Sequence, residues 1–160
     1  MIIITTLSAA AALALSACAS NMSAPAMPFS QASLPAAVQV PAGHTVAMET
    51  VGVGQITYEC RAKKDMAGHE WVFVGPDAQL MDRMGKKVGR YYGPPATWES
   101  NDGSKLTGTQ VAVAPAAAGS IPLQLVKANP AMGMGAMQGV TYIQRVATLG
   151  GIAPAMLCDA

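Results

Sequence analysis

The chain has 160 residues, room for one ordinary domain. Its formal net charge of +1 supplies no global field to attract nucleic acid or an anionic surface. The charge is unevenly placed: residues 1–48 contain no Asp, Glu, Lys or Arg, whereas residues 49–105 hold eight of the ten bases and eight of the nine acids. The 51% apolar content is inflated by that charge-free stretch, so it does not make this a membrane-embedded protein.

Residues 2–15 are apolar or small apart from Thr5, Thr6 and Ser8. That run has the length of a signal-peptide hydrophobic region and falls short of the roughly 20 residues a membrane-spanning helix needs. It ends in Leu15-Ser16-Ala17-Cys18, which resembles a bacterial lipobox. The resemblance implies a signal peptide over residues 1–17, cleavage after Ala17, and acyl chains on Cys18 as a membrane anchor. A second reading is an ordinary secretory signal cut at Ala17-Cys18-Ala19, with Cys18 incidental. The basic residues that usually open either signal are missing. Ala19 and Ser20 are not acidic, which within the lipoprotein reading implies the outer membrane; the plain secretory reading implies a secreted or periplasmic protein.

Export fits the remaining cysteines. With Cys18 assigned to lipid, Cys60 and Cys158 are left, an even number for an oxidising compartment. A disulfide between them would close a loop of nearly 100 residues and stabilise the fold by about 3–5 kcal/mol. The alternatives are two unrelated buried thiols or, with less support, a zinc or redox site, for which no C-x-x-C or Cys/His cluster is present. Residues 18–39 are dominated by Ala, Ser, Pro, Met and Gln without charge or periodicity, which predicts a lipidated cysteine and flexible tether. The β domain is expected over residues 40–160.

Within it, strands are predicted at residues 44–50 and 55–62, separated by Gly52-Val53-Gly54. Ile56, Tyr58 and Cys60 alternate with polar neighbours, so Cys60 faces inward. A third strand, 69–74, ends at Gly75-Pro76-Asp77. A hairpin follows over 79–81 and 87–92, then a short strand at 97–99. Asn101-Asp102-Gly103 forms a turn into a strand over 106–113, since Asp-Gly readily supplies positive φ. Strands at 121–128 and 140–149 flank a Gly- and Met-rich loop over 129–139. Eight or nine short strands, with no amphipathic helix, predict an all-β domain: a single antiparallel β-sandwich or barrel.

These residues resemble one bacterial and fungal family, the domain of unknown function 3455. The resemblance rests on Tyr58-Glu59-Cys60-Arg61-Ala62, Trp71-Val72-Phe73-Val74-Gly75-Pro76-Asp77-Ala78 and Gly85-Lys86-Lys87-Val88-Gly89. It continues through Tyr92-Gly93-Pro94, Thr97-Trp98-Glu99, Asp102-Gly103-Ser104, Ile143-Gln144-Arg145-Val146 and the closing Cys158-Asp159-Ala160. It spans about residues 40–160 and implies architecture and export, with no activity and no cofactor.

No G-x-S-x-G is present, and His44 and His69 lie 25 residues apart with no nucleophile beside either. Glu99 and Asp102 flank a turn, where acids commonly bond the local backbone. The basic group Arg83, Lys86, Lys87 and Arg90 is offset by Asp77 and Asp82, which predicts a solvated face rather than a nucleic-acid or lipid site. Trp71, Tyr91, Tyr92 and Trp98 are flat, amphipathic side chains of the kind that line ligand or glycan pockets; the bland alternative is that the tryptophans fill the core. Tyr91 and Tyr92, as strand neighbours, face opposite ways. Met132, Met134 and Met137 form M-x-M-x-x-M in a glycine-rich loop, a weak candidate for Cu(I), since thioethers are soft ligands. The expected function is therefore non-enzymatic binding of a small molecule, glycan or protein. An enzyme with a site near His69, Trp98 and Glu99 is the second reading.

Overall fold

In a computed structural model, which describes residues 27–159, seven strands form one open sheet in strict sequence order. They are β1 (Val51–Ala62), β2 (His69–Met81), β3 (Lys87–Tyr92), β4 (Thr97–Ser100), β5 (Lys105–Ala114), β6 (Leu123–Ala128) and β7 (Tyr142–Arg145). Every neighbouring pair is antiparallel. The all-β antiparallel expectation holds. The form is a single sheet whose ends, β1 and β7, are not paired with each other, rather than two packed layers or a closed barrel.

Seven strands stand where eight or nine are expected because turn signals are overridden twice. Gly52-Val53-Gly54 continues β1 instead of breaking it, and residues 44–50 form no strand. At Gly54 a Cβ would collide with the backbone of Asp77 and Ala78, so this glycine serves the close approach of two strands rather than a turn. In β2 the chain runs straight through Gly75-Pro76-Asp77, joining the predicted strands 69–74 and 79–81. The register slips between Thr57 and Tyr58, leaving Val74 as the extra residue of a bulge. Pro76, two residues past the bulge, pairs with Ile56 on one side and precedes the β3 ladder, which begins at Asp77, on the other, and a strand tolerates proline where one side is unpaired.

The two faces of the sheet are covered by different segments. On the outer face of β5–β7, Val38, Ala114 and Leu125 are buried together, with Leu34, Val40, Leu123 and Tyr142 packed around them. Val38 ends a short 3-10 turn, Ala36–Val38. Gln31 holds this segment in shape, accepting from the Val40 N–H (2.8 Å) and donating to its carbonyl (2.9 Å). Gln144 on β7 donates to the Val38 carbonyl at 2.7 Å. The end of the predicted tether, residues 31–39, is therefore docked on the sheet, and the folded body starts before residue 40. The predicted signal segment and Cys18 lie outside the described residues.

On the inner face the C-terminal segment crosses from β6 back to β1. Ile121 N–H donates to the Gly150 carbonyl (2.9 Å) and the Tyr58 hydroxyl to the Gly151 carbonyl (2.9 Å). The Trp71 indole N–H reaches the Met156 carbonyl at 3.0 Å. Cys60, inward-facing as its alternation predicts, is joined to Cys158, 98 residues away, with the two Cα atoms 5.6 Å apart. This clasp does the work that closure of β1 on β7 does in a barrel.

Candidate functional site

Alternation along the strands puts one side chain in two on the concave face, and there a cavity of about 230 Å³ opens between β2 and β7. Tyr91 of β3 lies opposite Trp98 of β4 in the ladder. Their rings stack, centroids 4.6 Å apart and planes 17° apart, forming one flat wall. Phe73, Pro94 and Val126 supply further apolar surface. Gly108 keeps room beside them, because a Cβ there would run into the Val126 side chain and the Lys127 carbonyl.

The polar part of the lining comes from β5, β6 and β7. Gln124 donates to the Gln110 side-chain oxygen at 2.6 Å. Arg145 shares the inward phase of β7 with Ile143 and stands opposite Gln124. Its Nε and Nη2 both donate to the Pro122 carbonyl, at 3.0 and 2.9 Å, which fixes the guanidinium plane at the cavity edge. Half burial pulls the Arg145 pKa down, while the hydroxyls of Tyr91 and Tyr58 nearby push it back up; a guanidinium stays charged through such shifts. Burial likewise raises the Tyr91 pKa, partly opposed by Arg145. The phenol is thus neutral and available as a donor at physiological pH.

Of the four aromatic pocket candidates, Tyr91 and Trp98 come together at the cavity and the other two lie elsewhere. Tyr92 takes the opposite face, as strand alternation requires. Its hydroxyl donates to the Glu99 carboxylate at 2.7 Å, which raises its pKa, and the Arg90 guanidinium lies 5.3 Å from its ring centre. Trp71 sits at the clasp. The grouping of His69, Trp98 and Glu99 is not assembled: Glu99 shares the Tyr92 side of the sheet, and His69 begins β2 opposite Ala62. In the methionine loop Met137 is buried, Met132 half exposed and Met134 almost fully exposed. Among the described residues no group of three or more His, Cys, Asp or Glu is placed to hold a metal ion.

Sequence reasoning passed over Arg145, Gln110 and Gln124. One signal for Arg145 was present: a cation two residues after Ile143, hence in the same phase of a short strand. Both faces of β7 are half-buried, so alternation alone could not say which was the interior. Gln110 precedes the register slip in β5, where phase counted from the strand's end gives the wrong face.

No curated protein and no solved structure matches the chain. Over residues 41–160 it matches the family described as protein of unknown function (DUF3455), in agreement with the motif pieces that the sequence displays from Tyr58 to Cys158. That match takes in all seven strands, the clasp and the cavity, and the chain belongs to the DUF3455 family.

Proposed function

We propose that this is an exported envelope protein, anchored to the outer membrane by acyl chains on Cys18, whose sheet binds a small ligand on its concave face without transforming it. The binding half of the reading is carried by one observation. The stacked Tyr91–Trp98 pair forms the wall of a cavity in which apolar groups predominate and a few fixed polar groups converge. Small-molecule sites have that make-up, and a volume of about 230 Å³ lies just below the usual range of roughly 300–1,000 Å³ for drug-sized ligands. The ligand is therefore small. Export is supported by the apolar run before Cys18 and by the joined Cys60–Cys158 pair, a bond that persists in oxidising compartments.

Separate experiments test the two halves. The full chain carrying Trp71→Phe retains Trp98 as its single tryptophan, and that residue lines the cavity. Screening small metabolites by its emission should find a saturable ligand, and Trp98→Ala should weaken that ligand at least tenfold when binding is followed calorimetrically. Unchanged affinity in Trp98→Ala would place the ligand elsewhere. Bacteria fed labelled palmitate should label the wild-type chain and leave Cys18→Ser unlabelled; equal labelling would remove the anchor.

A further inference from the structure

Arg145 has a charge imbalance that the fold itself does not resolve. The described ion pairs are Arg61–Glu59, Arg83–Glu49 and Arg90–Asp77, all on exposed side chains. Among the described residues no carboxylate lies within 4.0 Å of Arg145, although it is the arginine that burial perturbs. Taking a cation out of water is unfavourable unless something of opposite sign or a set of acceptors faces it. The Pro122 carbonyl engages Nε and Nη2, and a guanidinium carries five N–H donors in a planar fork. Part of that fork is left for the cavity. The neutral Tyr91 hydroxyl beside it adds a further donor.

Shape narrows the choice of anion. The Tyr91–Trp98 wall is flat, with ring planes 17° apart, and favours a planar body laid against it. At about 30 Å³ per water, a cavity of about 230 Å³ holds the equivalent of seven or eight waters, the scale of a single ring with one small substituent. Gln124 donates to Gln110, leaving the Gln110 amide N–H groups and the Gln124 amide oxygen for a ring substituent.

From these features we infer that the cavity takes a small aromatic carboxylate, its ring against Tyr91 and Trp98 and its carboxylate on Arg145. This deepens the binding reading above and rests on it. A carboxylate here would meet a charge already partly desolvated and already oriented, so part of the cost of placing Arg145 is met in folding rather than in binding.

The test uses benzoate and its neutral isostere benzamide, titrated against the full Trp71→Phe chain with Trp98 emission as the signal. Benzoate should saturate, and benzamide should bind at least tenfold more weakly. Arg145→Gln should erase that preference, bringing the two affinities within twofold of each other. Because Arg145 also joins the start of β6 to β7, circular dichroism must show the variant folded. Should Arg145→Gln fail to fold, the benzoate-to-benzamide ratio on the arginine-containing chain still decides the matter. Equal, saturable binding of both would overturn the carboxylate inference while leaving the cavity a binding site. Binding of neither would overturn the carboxylate inference and leave the binding reading to the wider metabolite screen. Glucuronate displacing benzoate at tenfold lower concentration would overturn the choice of an aromatic ring.

Discussion

Asp102 joins two loops that lie 34 residues apart. One carboxylate oxygen accepts from the Ser104 N–H (2.9 Å) and the Ser104 hydroxyl (2.6 Å), and the other from the Ala136 N–H (2.7 Å). Ser104, fully buried, accepts in turn from the Met137 N–H at 3.1 Å. Donors aimed at a carboxylate favour its charged form, and the hydrogen bonds from Ser104 and Ala136 hold the Asp102 pKa at about 2 against an ordinary 3.8. The unfolded chain therefore takes up this proton more readily than the folded one. The stabilisation is complete above about pH 4 and is lost as the pH falls through about 2. Asp102→Asn should accordingly melt below the wild type at pH 7, and the gap should close as thermal melts are carried from pH 4 down to 2. A gap that stays constant over that range would mean that the charge contributes nothing. Asp102-Gly103 was legible as a turn because the preference is local. Its grip on Ala136 was not, because nothing in the neighbourhood of residue 102 encodes where a loop two strands further along the chain will pass.

At the scale of elements, the C-terminal segment behaves as a clasp rather than a strand. It contributes backbone carbonyls to Tyr58 and Trp71 and a sulfur to Cys60, all on β1 and β2, while its beginning is held at Ile121. Leu149, Ile152, Met156 and Leu157 remain exposed, so apolar burial does little to keep it in place. The disulfide carries that role. Closing a loop of this length removes about 4–5 kcal/mol of unfolded-state freedom, and for a domain of this size such a loss corresponds to roughly 10–20 °C in melting temperature. Cys60→Ala/Cys158→Ala should show a drop of that order by differential scanning calorimetry, and the reducing agent that lowers the wild type should leave the double variant unmoved. A change below about 3 °C would mean that the hydrogen bonds alone hold the segment. The pairing was accessible from the cysteine count and the inward phase of Cys60. The docking of residues 31–39 was not: Leu34 and Val38, two apolar side chains in a Pro- and Ala-rich run, have no periodicity to announce a buried face. The outer core nonetheless depends on them.

Across the whole molecule, burial is sparse, and the sheet gains its cohesion by curling between two covering segments. Among the described residues the largest side chains sealed almost completely from solvent are just Leu106, Val38 and Ser104, so the described body is not built around one thick core. Curl brings neighbouring backbones close together, and glycine marks one such point in β3, where a Cβ on Gly89 would overlap the Glu99 carbonyl of β4. Gly89 pairs with Ser100, one register step of two residues from the Tyr91–Trp98 wall. Any side chain at this position must push β4 away and, with it, Trp98. Sequence patterning revealed the strands but gave no measure of this curvature, since a glycine that ends a strand and one that lets two strands meet look alike in one dimension. Gly89→Ala should therefore cost about 1–3 kcal/mol in urea unfolding, the usual penalty for forcing atoms into occupied space. It should also shift the Trp98 emission of the Trp71→Phe chain, because the ring loses its stacking partner. Val88→Ala, one residue away, removes atoms without obstructing the strand pair and should leave Trp98 emission in place. If the two substitutions moved Trp98 alike, curvature would not be what shapes the cavity.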